Sequence, residues 1–317
     1  SKEIKIMATN GVNFTYPDGA RRESLLDIVV NIDPTEQQLV SGLQRSSASN
    51  TLHEWVLDTL EAVGVNAQFE GGAAPTDGAS NPTRAQNITQ IFAKTAVVSG
   101  TEQAVNRVGG DRMAYEVTKK LKALKNDIEY ALVRGSIASG VASTSGSGSA
   151  RQLKGIKGWI TTNSVNYSGA TLTETVLNDM FESVWNGSGK EVNAVYTSMK
   201  GKRRISSFTA GATKNVETTD KRLVNSVDVY QSDAAKMVKL FAHRYVTVSG
   251  DYTAAATPGF DVLALNEGSW AIAYLQGREP QTKDLAVTGD AISKEIVTEL
   301  TLEARGEKAN AMGRVFF

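Results

Sequence analysis

The sequence has no cysteine, only two histidines and six prolines, and no net charge. The missing thiol removes a disulfide framework, a thiolate zinc site and a cysteine nucleophile, and it fits a reducing cytoplasm. Charges of 34 basic against 34 acidic residues disfavour a strongly basic nucleic-acid binder and an acidic-tailed protein. Neutrality also removes one brake on self-association. The longest unbroken apolar run is WAIAYL (270–275), far short of the roughly 20 residues that a membrane helix needs. SKEIKIMATNG at the start carries no apolar signal core. Ser1 stands in first position, which leaves removal of an initiator Met and cleavage of a longer precursor both open.

Reactive constellations are missing as well. There is no G-x-S-x-G elbow, no H-E-x-x-H and no EF-hand loop. GSGK (187–190) lacks the Gly five residues before Gly189 and has Glu191 where a phosphate loop needs Ser or Thr. GSGSAR (146–151) is not a dinucleotide fingerprint. His53 and His243 sit in apolar surroundings without a second ligand at metal spacing, so both are expected to be structural. KGKRR (200–204) has no interleaved aromatics and reads as a solvated helix start or a contact to a neighbour's acidic residues. No catalytic, cofactor or metal residue is assigned, and an enzyme is disfavoured. A hydrolase using a serine and His243, and an adhesin or binding module, stay open as lesser alternatives.

One more absence is local. EGGAAPTDGASNPTRAQN (70–87) contains no Val, Ile, Leu, Met, Phe, Tyr or Trp, yet it lies between WVLDTLEAVGVNAQF and ITQIFAKTAVVSGT. Such a stretch is a linker, a lid over a site, or an arm completed by another molecule.

What is present is an ordinary core: 317 residues, 41% hydrophobic and 21% charged, enough for one large domain or two smaller ones. YPDGARR (16–22) signals a turn. DPTEQQLVSGL (33–43) reads as a short helix capped by Asp33, with Pro34 in its first turn. NAQFE (66–70) and ITQIFAKTAVV (88–98) read as extended legs of a hairpin. Residues 112–134 give the clearest helix. Met113, Val117, Leu121, Leu124, Ile128, Ala131 and Leu132 form one stripe, Asp111 is the expected N-cap and Gly135 the stop. Lys119, Lys120, Lys122 and Lys125 lie off that stripe and read as a solvated face. GSIASGVASTSGSGSA (135–150) reads as a flexible connection. GIKGWITTN (155–163) reads as strand or turn. TLTETVLNDMFESVWNG (171–187) reads as a helix with a Thr171–Glu174 capping box, ended by Gly187. EVNAVYTSM (191–199) reads as a buried strand, 200–208 as a helix and 226–276 as short strands. Residues 295–305 alternate Ile296, Leu300, Leu302 and Ala304 with Glu295, Glu299, Glu303 and Arg305, a long strand with one wet face. The expected class is α+β.

DPTEQQLVSGL, NTLHEWVLDTL (50–60), NITQIFAKTAVVSGT (87–101), NDIEYALVRG (126–135), GIKGWITTN, KRRISSF (202–208) and TGDAISKEIVTELTLEARGEKANAMG (288–313) occur in an order that resembles the major capsid (major head) proteins of tailed bacteriophages. The match runs from about residue 32 onward. The resemblance implies the tailed-phage capsid fold: an N-terminal arm (1–62), an extended loop or E-loop (63–101), a peripheral domain with a spine helix (102–163), an axial domain (164–275) and a return to the peripheral sheet (276–317). It implies a structural subunit, not an enzyme, that self-assembles into hexamers and pentamers of a head around packaged double-stranded DNA, in a virion built in the bacterial cytoplasm. A tail-tube or other ring-forming subunit is the alternative. The implied partners are copies of the chain, portal, scaffolding and decoration proteins, and DNA without sequence preference; no cofactor and no membrane are implied. Trp55, Glu70, Asp77, Arg84, Lys94, Lys202, Arg203 and Arg204 are the expected assembly contacts. The Lys–Asn cross-link of some related shells is not carried over, because Lys94 lies in a leg of the loop without a matching motif.

Overall fold

In chain order the secondary structure runs α1 (Gln38–Gly42), β1 (Gln44–Ala48), β2 (Leu52–Leu57), β3 (Thr83–Ile88), β4 (Gln90–Ser99), α2 (Gly100–Ala104), α3 (Arg112–Arg134), α4 (Ile156–Trp159), β5 (Ser164–Asn166) and α5 (Glu174–Ser188). It continues with β6 (Ala194–Thr197), α6 (Met199–Ser206), β7 (Val229–Ser232), β8 (Ala235–Ala242), β9 (Phe260–Leu265), β10 (Trp270–Leu275), β11 (Gln281–Asp284), β12 (Ala291–Ala304) and β13 (Ala311–Phe316). These come from a computed structural model, which describes residues 37–317 apart from 62, 75, 77, 79–80, 106–110, 141–147, 209–226, 233–234, 248–258 and 288. The expected turn at 16–22 and the Asp33–Pro34 helix start lie outside the described residues.

Helix α3 spans the expected 23 residues. Its N-terminus is closed by the Asp111 carboxylate, which accepts the Met113 N–H at 2.9 Å. Bonds from the Gln103 amide and the Met113 N–H hold that carboxyl below its ordinary range. Of the apolar stripe, Met113, Leu124, Ile128, Ala131 and Leu132 are buried and Val117 and Leu121 pack against the core. Each large side chain so buried is worth about 1.5–3 kcal/mol. The helix ends where Gly135 N–H meets the Ala131 carbonyl at 2.8 Å. Backbone then folds onto backbone. Gly155 N–H bonds the Gly135 carbonyl at 2.8 Å, and a Cβ on Gly155 would stand 2.6 Å from Gly135 N. The feet of the glycine-rich segment are joined by an antiparallel bridge between Ala138 and Gln152. The segment expected to be a flexible connection therefore leaves and returns at one place.

The strands form two large sheets. In the first, β12 is central. It pairs with β10 and β11 along one edge and β4 along the other, and β1 adds parallel to β10. The second runs β5-β13-β9-β6-β8-β7. Helix α3 and the first sheet share one core with Trp270, Ile272, Ile296, Leu300 and Leu302. Helix α5 packs a second core on β6, β9 and β13 through Leu177, Phe181 and Val184.

Two links between the sheets are bonded to each other. Residues 266–269 lead from β9 to β10, and 305–310 lead from β12 to β13. Buried Asn310 joins them. Its amide donates to Ser269 Oγ (3.0 Å) and the Gly306 carbonyl (2.7 Å), and its Oδ1 accepts from Asn266 N–H (3.0 Å) and Trp270 Nε1–H (2.9 Å). Every donor and acceptor of this side chain is used, as burial requires.

Several expectations need correction. Residues 66–70 form no strand; β3 pairs instead with β2, from Leu52↔Ile88 to Leu57↔Thr83. Residues 90–99 lie on β12 rather than in the hairpin. Residues 156–159 are a helical turn, because Ile156 and Ile160 are both drawn into the core. The cap of α5 is Thr173, not Thr171, since Leu172 is fully buried just before it. Its end is Gly189 at φ 63°, two residues beyond Gly187. The terminal segment splits. β12 joins the first sheet, but β13 inserts between β5 and β9 of the second. β10, expected with the axial unit, belongs to the first sheet. Finally, β12 has no wet face over its last nine residues, which are all buried. The reason is that other segments bring partners to its carboxylates.

Candidate assembly interface

Those partners anchor the hairpin. Leu300 and Leu302 on β12 face the core shared with α3. Glu299, Thr301 and Glu303 alternate with them, and strand geometry points them to the opposite side. Glu299 accepts from Thr89 Oγ1 (2.6 Å) and lies 2.8 Å from both Arg151 and Arg278. Thr301 Oγ1 donates to the Ile88 carbonyl at 2.9 Å. Glu303 meets His53 Nε2 at 2.6 Å and Arg305 Nη2 at 2.6 Å. Burial pushes the Glu303 carboxyl up, but the His53 and Arg305 bonds outweigh it and leave it below the ordinary range. Asn87 is fully buried and donates to the Leu302 carbonyl at 2.8 Å and the Lys154 carbonyl at 3.1 Å. The base of the β2–β3 hairpin is thus fixed by satisfied polar contacts.

Beyond that base the chain changes character. From 58 to 82 no described residue is in a helix or strand, and every one is exposed. A turn at 69–72 closes with Gly72 N–H on the Phe69 carbonyl at 3.0 Å, and Gly71 supplies the φ of 74° at its third position. Leu60, Val63, Val65 and Phe69 are 97%, 103%, 97% and 90% exposed. Four large apolar side chains fully in water along one segment are the kind of feature that interaction surfaces show.

The expected contact residues divide. Glu70 lies exposed at the turn of this segment. Arg84 is on β3, largely exposed and 3.5 Å from Glu54. Asp77 lies outside the described residues. Trp55 faces inward. Its Nε1–H bonds the Ala304 carbonyl at 2.9 Å, and its ring packs against His53 and Trp159. Lys94 is on β4, 2.6 Å from Asp127 of α3. Lys202, Arg203 and Arg204 lie on α6, far along the chain on the second core. Lys202 pairs with Asp228 at 2.8 Å, Arg204 Nε donates to the Leu172 carbonyl at 3.0 Å, and Arg203 is exposed. Among the described residues, Trp55, Glu70 and Arg84 therefore lie in the hairpin, and of these Glu70 and Arg84 are exposed. The sequence reading missed Leu60, Val63, Val65 and Phe69, which follow no period that a helix or a half-buried strand would impose.

His243 is buried, and both its ring nitrogens are engaged by this chain. Tyr245 N–H donates to Nδ1 at 3.2 Å, so Nε2 carries the proton and donates to Glu129 Oε1 at 2.8 Å. The other bonds to Glu129 come from Leu39 N–H (2.8 Å) and Val40 N–H (2.9 Å). This is a tie between α1, α3 and the end of β8. Among the described residues no group of three or more acidic or histidine side chains could hold a metal, and no helix is long and apolar enough to cross a membrane.

A family model described as SU10 major capsid protein matches residues 6–315. The major capsid protein of Escherichia phage Phieco32 is 32% identical over 132 residues, 41% of this chain. That match covers 37% of the relative's own length. Among solved structures, the capsid of cyanophage A-1(L) superposes with a TM-score of 0.65 at 14% identity, over 93% of this chain and 97% of that one. The capsid of a native GTA particle gives 0.64 at 10% identity, over 96% and 100%. These two likenesses show the fold: the α+β fold of phage capsid proteins.

Proposed function

Because the chain belongs to the SU10 major capsid protein family, we propose that it is the structural subunit of a phage head, assembling into hexamers and pentamers around packaged double-stranded DNA. The observation that carries this reading is the β2–β3 hairpin. Its base is locked by buried polar bonds, and its far end presents Leu60, Val63, Val65 and Phe69 with no cover among the described residues. An arm of that kind gains order and buries apolar area only on a second copy. Leu60, Val63, Val65 and Phe69 are then the arm's main contacts, with Glu70 and Arg84 at its polar rim. The α3 sheet serves as the peripheral body and the second sheet as the axial body. Portal, scaffolding and decoration proteins are partners this role calls for, and assembly takes place in the host cytoplasm.

The test is negative-stain microscopy of the expressed chain beside Leu60→Ser/Val63→Ser/Phe69→Ser. The wild type is expected to form closed particles or capsomer rings. The variant is expected to stay unassembled with an unchanged far-UV spectrum. A wild type that remains monomeric at every salt concentration, or a variant that assembles as well as wild type, overturns the reading.

A further inference from the structure

The charges on α3 are unevenly satisfied. Each of its acidic residues has a partner within the chain: Glu116 is 2.7 Å from Arg112, Asp127 is 2.6 Å from Lys94, and Glu129 is held by His243 and two backbone N–H groups. Among the described residues its central lysines have none. Lys119, Lys122 and Lys125 are exposed and Lys120 is half-buried. Among the described residues no carboxylate forms an ion pair with any of the four. Lys119, Lys122 and Lys125 recur every third residue, about 4.5 Å apart along the axis. Like charges at this spacing repel and destabilise a helix. In a chain with 34 charges of each sign, such a row is a local excess that an outside anion would neutralise.

We propose that this face of α3 lines the interior of the shell and holds the phosphate backbone of the packaged DNA. The row sits on a convex helix rather than in a pocket. It uses flexible ammonium groups rather than the planar forks that recognise a shaped carboxylate site. Lysines of this kind neutralise phosphates without reading bases, as a container for any sequence requires. The placement is also consistent in space: α3 packs on one side of the first sheet, and the base of the projecting hairpin is bonded on the other. The hairpin can reach neighbouring copies without covering the lysines.

This inference rests on the shell reading, and its experiment separates the two. Filled heads and heads emptied of DNA are treated with an amine-acetylating reagent, and modification is read by mass spectrometry. Lys119, Lys122 and Lys125 are expected to be protected in filled heads and reactive in emptied ones. Equal reactivity in both overturns the proposal by placing the face outside; equal protection in both overturns it by assigning the face to another protein segment. Failure of wild type to form heads at all strikes the shell reading instead. In parallel, the unassembled chain and Lys119→Gln/Lys122→Gln/Lys125→Gln are titrated with a 30-base-pair duplex at several salt concentrations. The wild type is expected to show a log–log salt slope steeper by about 2–3 than the variant. The corresponding Lys→Arg triple should keep the wild-type slope. Identical slopes for wild type and the Gln variant overturn the proposal.

Discussion

Glu129 offers a sharp test of how the subunit is held together. The side chain is fully buried in the C-terminal half of α3 and accepts three hydrogen bonds, from Leu39 N–H, Val40 N–H and His243 Nε2–H. Truncation by Glu129→Ala orphans all three donors at once. Each buried group left without its partner costs about 1–3 kcal/mol, so the sum is about 3–6 kcal/mol, allowing for shared relaxation. That is a large part of the roughly 5–15 kcal/mol by which a domain is stable. Glu129→Gln is milder. Its carbonyl can keep Leu39 and His243, while its amide turns a donor toward the Val40 N–H, a loss of about 1–3 kcal/mol. The His243 ring cannot rescue it by changing tautomer, because Nδ1 already accepts from Tyr245 N–H. Urea unfolding of the unassembled subunit gives the two differences. Hydrogen exchange locates them, with protection at Leu39 and Val40 falling first. An Ala variant within about 1 kcal/mol of wild type, or unchanged exchange at those two amides, refutes the reasoning.

Other outcomes follow from the same geometry. Gly155→Ala forces a Cβ to 2.6 Å from Gly135 N and 2.8 Å from the Ala131 carbonyl, so the variant should lose at least about 2 kcal/mol in the same urea assay; a neutral effect would mean that the α3–α4 junction can spread. Deleting residues 71–81 should leave the melt cooperative and the midpoint within about 1 kcal/mol of wild type while abolishing particles in negative stain, since none of the described residues of this stretch contributes to either core. The Glu303 carboxyl is held below its ordinary value of 4.5, so its contribution is complete above that pH and fades as pH falls through the lowered folded value. Protection factors at residues 52–57 and 83–88, corrected for the intrinsic pH dependence of amide exchange, should therefore fall on acidification in wild type and lose part of that pH dependence in Glu303→Gln; matching profiles would remove Glu303 from the hairpin's anchor.

Helix α3 was legible because its signal is local. Seven apolar residues at helical spacing, an Asp before them and a Gly after them suffice. The α5 cap shifted by two residues because a tertiary event, burial of Leu172, chose Thr173 over Thr171. The glutamates of β12 misled more deeply. Alternation with leucines reads as a wet face, and Thr89, Arg151, Arg278 and His53, contributed by other segments, join Arg305 in making that face dry. The histidines show the same limit, since their carboxylates lie 250 and 114 residues away. Leu60, Val63, Val65 and Phe69 were invisible for another reason. Periodicity records what a chain buries within itself, and these side chains have no cover among the described residues. Trp55, expected as a contact to a neighbour, is bonded within its own chain to the Ala304 carbonyl.

The crossing of the last two strands bears on timing. β12 is the centre of one sheet, and β13 lies between β5 and β9 in the other. Both come after every other described element in chain order. A ribosome translating this chain exposes the projecting hairpin and α3 early, but neither sheet can close until residues 291–316 have emerged. The surface offered to neighbours thus exists before the body that gives it a fixed direction. Productive association waits until residues 291–316 are free to pair, and a nascent subunit has the means to touch a neighbour without the rigidity to lock onto it.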